Sequence, residues 1–182
     1  MKMINIFVLM LLLLATASWA SAKTEEVSVG PFNDSFDLNT TENYTVISNF
    51  TTQEGSQEGI IEIESNDGSQ AAIGITAYDR WQYAGLSPDM DYMNLSLQSD
   101  ENVIEGSVSE ETVDGQPAIV VAQTRKLPGA ESTMNSTIVI YWADGKQMEG
   151  YDVPVAKTKV EIISTLPENM TQSLLDTLHV AL

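Results

Sequence analysis

Apolar and polar residues alternate over short stretches of this chain, and the alternation predicts strands. Ile61-Glu62-Ile63-Glu64 puts apolar side chains on one face and acids on the other, as a half-buried strand does. Asn66-Asp67-Gly68 follows, and Asp-Gly suits a type I′ turn because both residues tolerate positive φ. Ala71 to Ala77 reads as the returning strand, with Ile61, Ile63, Ile73 and Ile75 sharing the buried face. The pattern recurs twice: Val103–Val113 leads through Asp114-Gly115 to Ala118–Ala122, and Thr137–Trp142 leads through Asp144-Gly145 to Lys146–Val153. Tyr44–Ile47 and Lys159–Ser164 read as further strands. Thr51–Gly59 reads as a polar loop, and Lys23–Asp37 as a loosely held start with a short strand at Val27–Val29.

A helical period takes over in two places. Ser87-Pro88-Asp89 combines an N-cap, a first-turn proline and a first-turn acid, and predicts a helix to Gln98 with Met90, Met93 and Leu97 on one side. Thr165 and Glu168 have capping-box spacing around Pro167. Leu166, Met170, Leu174 and Leu178 then recur every four residues, so an amphipathic helix is expected over Pro167–Val180. The expected fold is α+β: an antiparallel sheet of about six to seven strands built from consecutive hairpins, with a middle helix and a C-terminal amphipathic helix packed on it.

Residues 1–22 follow a different rule. Lys2 precedes an apolar run from Ile4 to Ala15, and Ala20-Ser21-Ala22 supplies the small residues of a cut before Lys23. That is the pattern of a secretory signal peptide. The run is shorter than the roughly 20 residues that span a bilayer, so no stable membrane insertion is expected after cleavage. The expected organisation is a signal peptide over 1–22, a polar segment over 23–42 and one domain over 43–182. The expected location is secreted, extracellular or attached to the cell surface.

Composition narrows the chemistry. The 182 residues hold 8 Lys+Arg against 26 Asp+Glu, a formal charge of −18, which disfavours nucleic acid as a partner. Cys is absent, so disulfides, thiol nucleophiles and Cys-ligated metals are excluded. The most pronounced excess is in asparagine triplets. Asn33, Asn39, Asn43, Asn49, Asn94, Asn135 and Asn169 each begin Asn-x-Ser/Thr, whereas chance placement predicts about one or two such triplets. With an export signal they read as N-glycosylation acceptors, which must face solvent. A glycosylated, acidic, Cys-free exported chain suggests an archaeal cell-surface setting. The rival reading is that Asn- and Thr-rich loops form such triplets by accident.

Candidate catalytic groups are few. His179 is the only imidazole, and near the end of the last predicted helix, three residues after Asp176, it reads as a helix-terminal contact rather than a triad member. Glu62, Glu64, Glu105, Glu110, Glu111 and Glu161 fit the solvated faces of strands, with no pair standing out for glycosidase work. Asp89, Asp91, Asn94, Asp100 and Glu101 depart from a calcium loop, since the sixth place from Asp89 is Asn94 rather than Gly and the twelfth is Asp100 rather than Glu. Weak cation binding by the whole acidic surface is the reading that remains. Trp81, Tyr83, Tyr92 and Trp142 are aromatic candidates for a surface that binds a sugar or a partner, with Trp81, Tyr83 and Trp142 the candidates for a partner surface, but the expected role of these aromatics is core packing with a rim at the sheet–helix junction. No phosphate loop or dinucleotide fingerprint occurs, and no cofactor is implied.

The order of elements over 43–182, with Val113-Asp114-Gly115-Gln116-Pro117-Ala118 at a hairpin tip and a last strand feeding the Pro167–Val180 helix, resembles the PsbP/Mog1-like fold. That resemblance implies a binding or accessory module, since relatives assist a photosynthetic complex or bind a small GTPase. It transfers no functional residue. The function expected is therefore a secreted, N-glycosylated, non-enzymatic binding domain that recognises a protein partner at the cell envelope. The alternatives are a secreted carboxylate-dependent hydrolase and a calcium-responsive surface protein.

Overall fold

Hydrophobic alternation decides which side of each strand is buried, and the strands then assemble in two sheets. The computed structural model describes residues 21–78, 86–127, 129, 131–144 and 157–181. In chain order the elements are β1 (Ser21–Val29), β2 (Phe32–Thr40), β3 (Tyr44–Gln53), β4 (Ser56–Ser65), β5 (Gln70–Tyr78), α1 (Leu86–Ser99), β6 (Val103–Val113), β7 (Gln116–Lys126), β8 (Thr133–Asp144), β9 (Lys157–Ser164), α2 (Glu168–Thr177) and β10 (His179–Ala181). A seven-stranded sheet runs β3-β4-β5-β9-β8-β7-β6, and a three-stranded sheet runs β1-β2-β10. Every pairing is antiparallel. Among the described residues no helix is long and apolar enough to cross a membrane.

Ile61 stands opposite Ile73, and Ile61, Ile63, Ile73 and Ile75 are all fully buried, as the alternation predicts. The turns are less uniform. Asp114 and Gly115 both have positive φ, 52° and 69°, between the paired Val113 and Gln116, which is a type I′ turn. At Asn66-Asp67-Gly68 only Gly68 has positive φ, and Ser65 N–H reaches Ser69 O at 2.9 Å. That loop is a three-residue turn with Gly at the left-handed position, not the expected type I′ turn. A Cβ at Gly115 would meet no heavy atom within 4 Å, so Gly115→Ala tests backbone strain alone. It is expected to lower the unfolding free energy by about 1–2 kcal/mol in a urea titration; a neutral result would argue against the I′ geometry.

Several expectations are corrected. Thr51–Gly59 is not a loop: β3 and β4 continue through it and turn at Glu54-Gly55, with Gln53 opposite Ser56. β8 is flanked by β7 and, over Thr137–Asp144, by Lys157–Ser164 of β9, while the expected hairpin strand Lys146–Val153 lies outside the described residues. The largest change is at the start. Residues 21–40 form a regular hairpin rather than a loose segment, and Ser21 and Ala22, which precede the expected cut, pair with Thr40 and Asn39. Phe32, Phe36 and Leu38 all face inward from β2 and are at most 2 % exposed, in one core with Ile61 and Ile73. Three apolar residues two or four apart among polar ones give a polar average, which hides a buried strand; their parity reveals it. The ring of Phe50 packs edge-on to Phe32, with centroids 6.5 Å apart, and lies against Gly30 (φ 57°), where a Cβ would overlap it.

The last helix is shorter than its period suggests. It ends at Thr177, and His179–Ala181 leaves it as β10, pairing with Asn33–Ser35 of β2. Beyond Ser35 the edge of β2 is covered by α2. Ser173 Oγ donates to Asp37 O (3.0 Å), Asp37 N–H donates to Thr177 Oγ1 (2.7 Å), and Asn169 Nδ2 donates to Asn39 O (2.9 Å). Helix side chains thus continue the ladder that β10 begins, satisfying an edge that would otherwise be open. The expected capping box does not form, because Thr165 is used elsewhere: its Oγ1 accepts Gln70 N–H (3.0 Å) at the start of β5. A buried hydroxyl pair braces the helix entry instead, Ser164 Oγ to Thr171 Oγ1 at 2.8 Å. On the opposite face of the large sheet, α1 packs on β6 and β7 with Met90, Met93 and Leu97 half-buried, the side its period selects.

Candidate functional site

The small sheet and α2 cover only part of the inner face of the large sheet. Cross-strand register shows where the cover stops. One row reads Ser107–Ala122–Thr137–Ser164–Ala71–Ile63 from edge to core, and the next begins Glu105–Thr124–Asn135. The residues change from apolar to hydroxyl, amide and carboxylate as the rows leave the core. Over β6, β7 and β8 this leaves an open groove of about 790 Å³, walled on its far side by α2 and the β4–β5 turn.

Four carboxylates line the groove: Asp67, Glu105, Glu111 and Glu168. No Lys, Arg or His is among the described residues that line it. Ser69 holds the Asp67 carboxyl below its usual range, by a hydroxyl bond of 2.6 Å and an N–H bond of 2.9 Å, so Asp67 is ionised. On the floor Thr124 Oγ1 donates to Asn135 Oδ1 (3.0 Å), and at the β6 edge Glu111 accepts from Ser109 Oγ (3.0 Å). The surface offers hydrogen-bond acceptors and negative charge.

A second constellation lies where the two sheets meet. Asp34 sits between Phe32 and Phe36 on the buried parity of β2 and is 3 % exposed. Neither of its oxygens has a hydrogen-bond partner among the described residues. Nearby, Asp114 in the β6–β7 turn accepts from three groups: Val180 N–H at 3.0 Å, Tyr141 Oη–H at 3.3 Å and His179 Nδ1 at 2.9 Å. Burial pushes the Asp34 carboxyl up to about 7, the Asp114 charge adds to the rise, and His179 opposes it. Burial also raises the Tyr141 phenol, helped by Asp114 and by Asp34. Asp114 therefore ties the last strand to a turn 66 residues earlier in sequence, beside a carboxyl that resists ionisation.

The residues singled out from sequence are scattered. His179 is on β10 and meets Asp114, while Asp176 accepts from Gln172 within α2, so the expected helical Asp-x-x-His contact is replaced by a cross-sheet one. Trp142, a candidate for a partner surface, takes the alternative of packing: it is 7 % exposed, and its indole N–H donates to Asp89 at 3.2 Å beneath α1. Trp81 and Tyr83 lie outside the described residues. Asp100 accepts Asn102 N–H (2.9 Å) and pairs with Arg125 (2.6 Å), so it serves the α1–β6 turn. Glu161 pairs with Lys159 at 2.8 Å, and Glu62 and Glu64 are exposed on the outer face. Among the described residues no three carboxylates or imidazoles converge to hold a metal ion. Of the acids weighed for chemistry, only Glu105 and Glu111 line the groove. The sequence marks Asp114 only as a turn residue and does not mark Asp34, though an acid between two phenylalanines at the buried parity of a strand is a readable signal.

The acceptor asparagines also separate. Asn33, Asn43, Asn49, Asn94, Asn135 and Asn169 are exposed, whereas Asn39 is half-buried with its Oδ1 enclosed and unpartnered. Asn135 alone among the seven lies in the groove lining. No protein-family model matches this chain, and no curated protein or solved structure shows significant similarity to it.

Proposed function

We propose that this chain is an exported, N-glycosylated, non-catalytic binding domain that recognises a protein partner at the cell envelope. The observation that carries this reading is the groove: an uncovered stretch of sheet face, about 790 Å³, furnished with hydroxyls, amides and carboxylates. The single imidazole of the sequence does not line it, being engaged with Asp114.

This reading places sugar on the exposed acceptors outside the groove and leaves Asn135 bare, because a glycan there would fill the recognition surface. Site-resolved glycopeptide mapping of the native protein checks that part. The recognition itself is tested by a photo-cross-linking residue at Thr124, in the groove, against one at Glu54, in the β3–β4 turn, on intact cells of the source. A discrete cross-linked species is expected from Thr124 and not from Glu54. The same products from both positions, or full occupancy of Asn135, would overturn the reading.

A further inference from the structure

The groove has a chemistry specific enough to name its occupant. It is an unpartnered sheet face: the inner side of β6, β7 and β8, beyond the reach of the small sheet and α2. The charged side chains among the described residues that line it are all of one sign. Glu105 and Glu111 stand on the edge strand β6, and Asp67 and Glu168 on the opposite wall. Between them Thr124, Asn135 and Thr137 form an uncharged polar floor. Carboxylates on both walls and acceptors on the floor suit donors entering from above. An anionic or purely apolar segment would leave these acids without compensation.

We propose that the groove binds an extended protein segment bearing lysine or arginine, its cationic side chains reaching Glu105 and Glu111 on one wall and Asp67 and Glu168 on the other. The inference rests on the groove being the recognition surface and adds the charge of the partner. The acidity of the whole chain does not substitute for this geometry. Glu62 and Glu64 on the outer face are also exposed acids, yet the pocket there includes Ile47 and Ile163 and is about half the size, near 400 Å³. A cation held only by overall charge would choose equally between the two faces and would be lost as salt screens it.

The test uses the full glycosylated chain and the peptide Lys-Ser-Lys-Ser-Lys-Ser, with its lysine-acetylated form, by calorimetry at 0.15 M salt, on the order of physiological ionic strength. Saturable one-to-one binding of the lysyl peptide is expected. It should weaken at least tenfold in a Glu105→Gln/Glu111→Gln double variant and not in a Glu62→Gln/Glu64→Gln double variant. Unchanged melting temperatures show that both variants fold. Equal weakening by the two pairs means diffuse acidity and overturns the proposal, as does no saturable binding. If the acetylated peptide binds as well as the lysyl one and only the groove variant loses it, the cationic occupant is wrong while the groove remains the recognition surface. If neither peptide is sensitive to the groove variant and the Thr124 cross-link is also absent, both readings fail together.

Discussion

Asp34→Asn is expected to stabilise the protein at pH 8 and to remove most of its loss of stability between pH 4 and pH 7. In the folded chain the Asp34 carboxyl is raised from 3.8 to about 7, mainly because it is buried without a hydrogen-bond partner. Between those values the unfolded chain has released the proton and the folded chain has kept it. Stability therefore falls as pH rises through this window and levels off above it. The contribution is fully present below the unfolded value and gone above the folded one. At about 1.4 kcal/mol per pH unit, the full span corresponds to about 4 kcal/mol. Asn keeps the shape and cannot ionise. Urea titrations of both proteins from pH 4 to pH 8 should give curves that meet near pH 4 and diverge above it, the variant being more stable. Parallel curves would mean that Asp34 is hydrated or paired in the folded chain.

Phe36→Ala is expected to cost about 3–5 kcal/mol, the usual loss for a buried aromatic ring. Phe36 is 1 % exposed, and it belongs to the hairpin whose sequence averages as polar. The size of the loss decides whether residues 21–40 are part of the domain's core. At roughly 2–4 °C per kcal/mol for a chain of this size, the melting temperature should drop by about 10 °C in a single transition. A loss under about 1 kcal/mol, or an early separate transition, would mark the hairpin as an independently held arm.

The strands with a simple two-residue period were readable, because Ile61, Ile63, Ile73 and Ile75 needed only one buried face. The three-stranded sheet was not. Phe32, Phe36 and Leu38 keep the parity of a buried strand, but the acid at Asp34 occupies the same parity and breaks the run. The end of α2 misled for a related reason. Leu178 keeps the four-residue spacing of the helix, yet it is buried with extended backbone, φ −57° and ψ 130°, on the way into β10. Spacing records which side chains are buried, not which backbone delivers them. The groove was only half legible: Glu105 and Glu111 were visible as acids, but their company with Asp67 and Glu168 depends on sheet order and on where α2 stops.

The small sheet joins segments far apart in sequence, since β2 is flanked by β10, with Asp37 bonded to Ser173 and Thr177 about 140 residues later. A hairpin made early must therefore wait for α2 and β10 before its second edge is closed. While the chain is synthesised, that edge of β2 has no native cover. Closing so long a loop costs entropy before any contact rewards it, so the final docking of α2 and β10 belongs late in folding. Truncating the last turn of α2 together with β10 should then trap a species with the large sheet formed and β2 exposed, open to pairing with another chain.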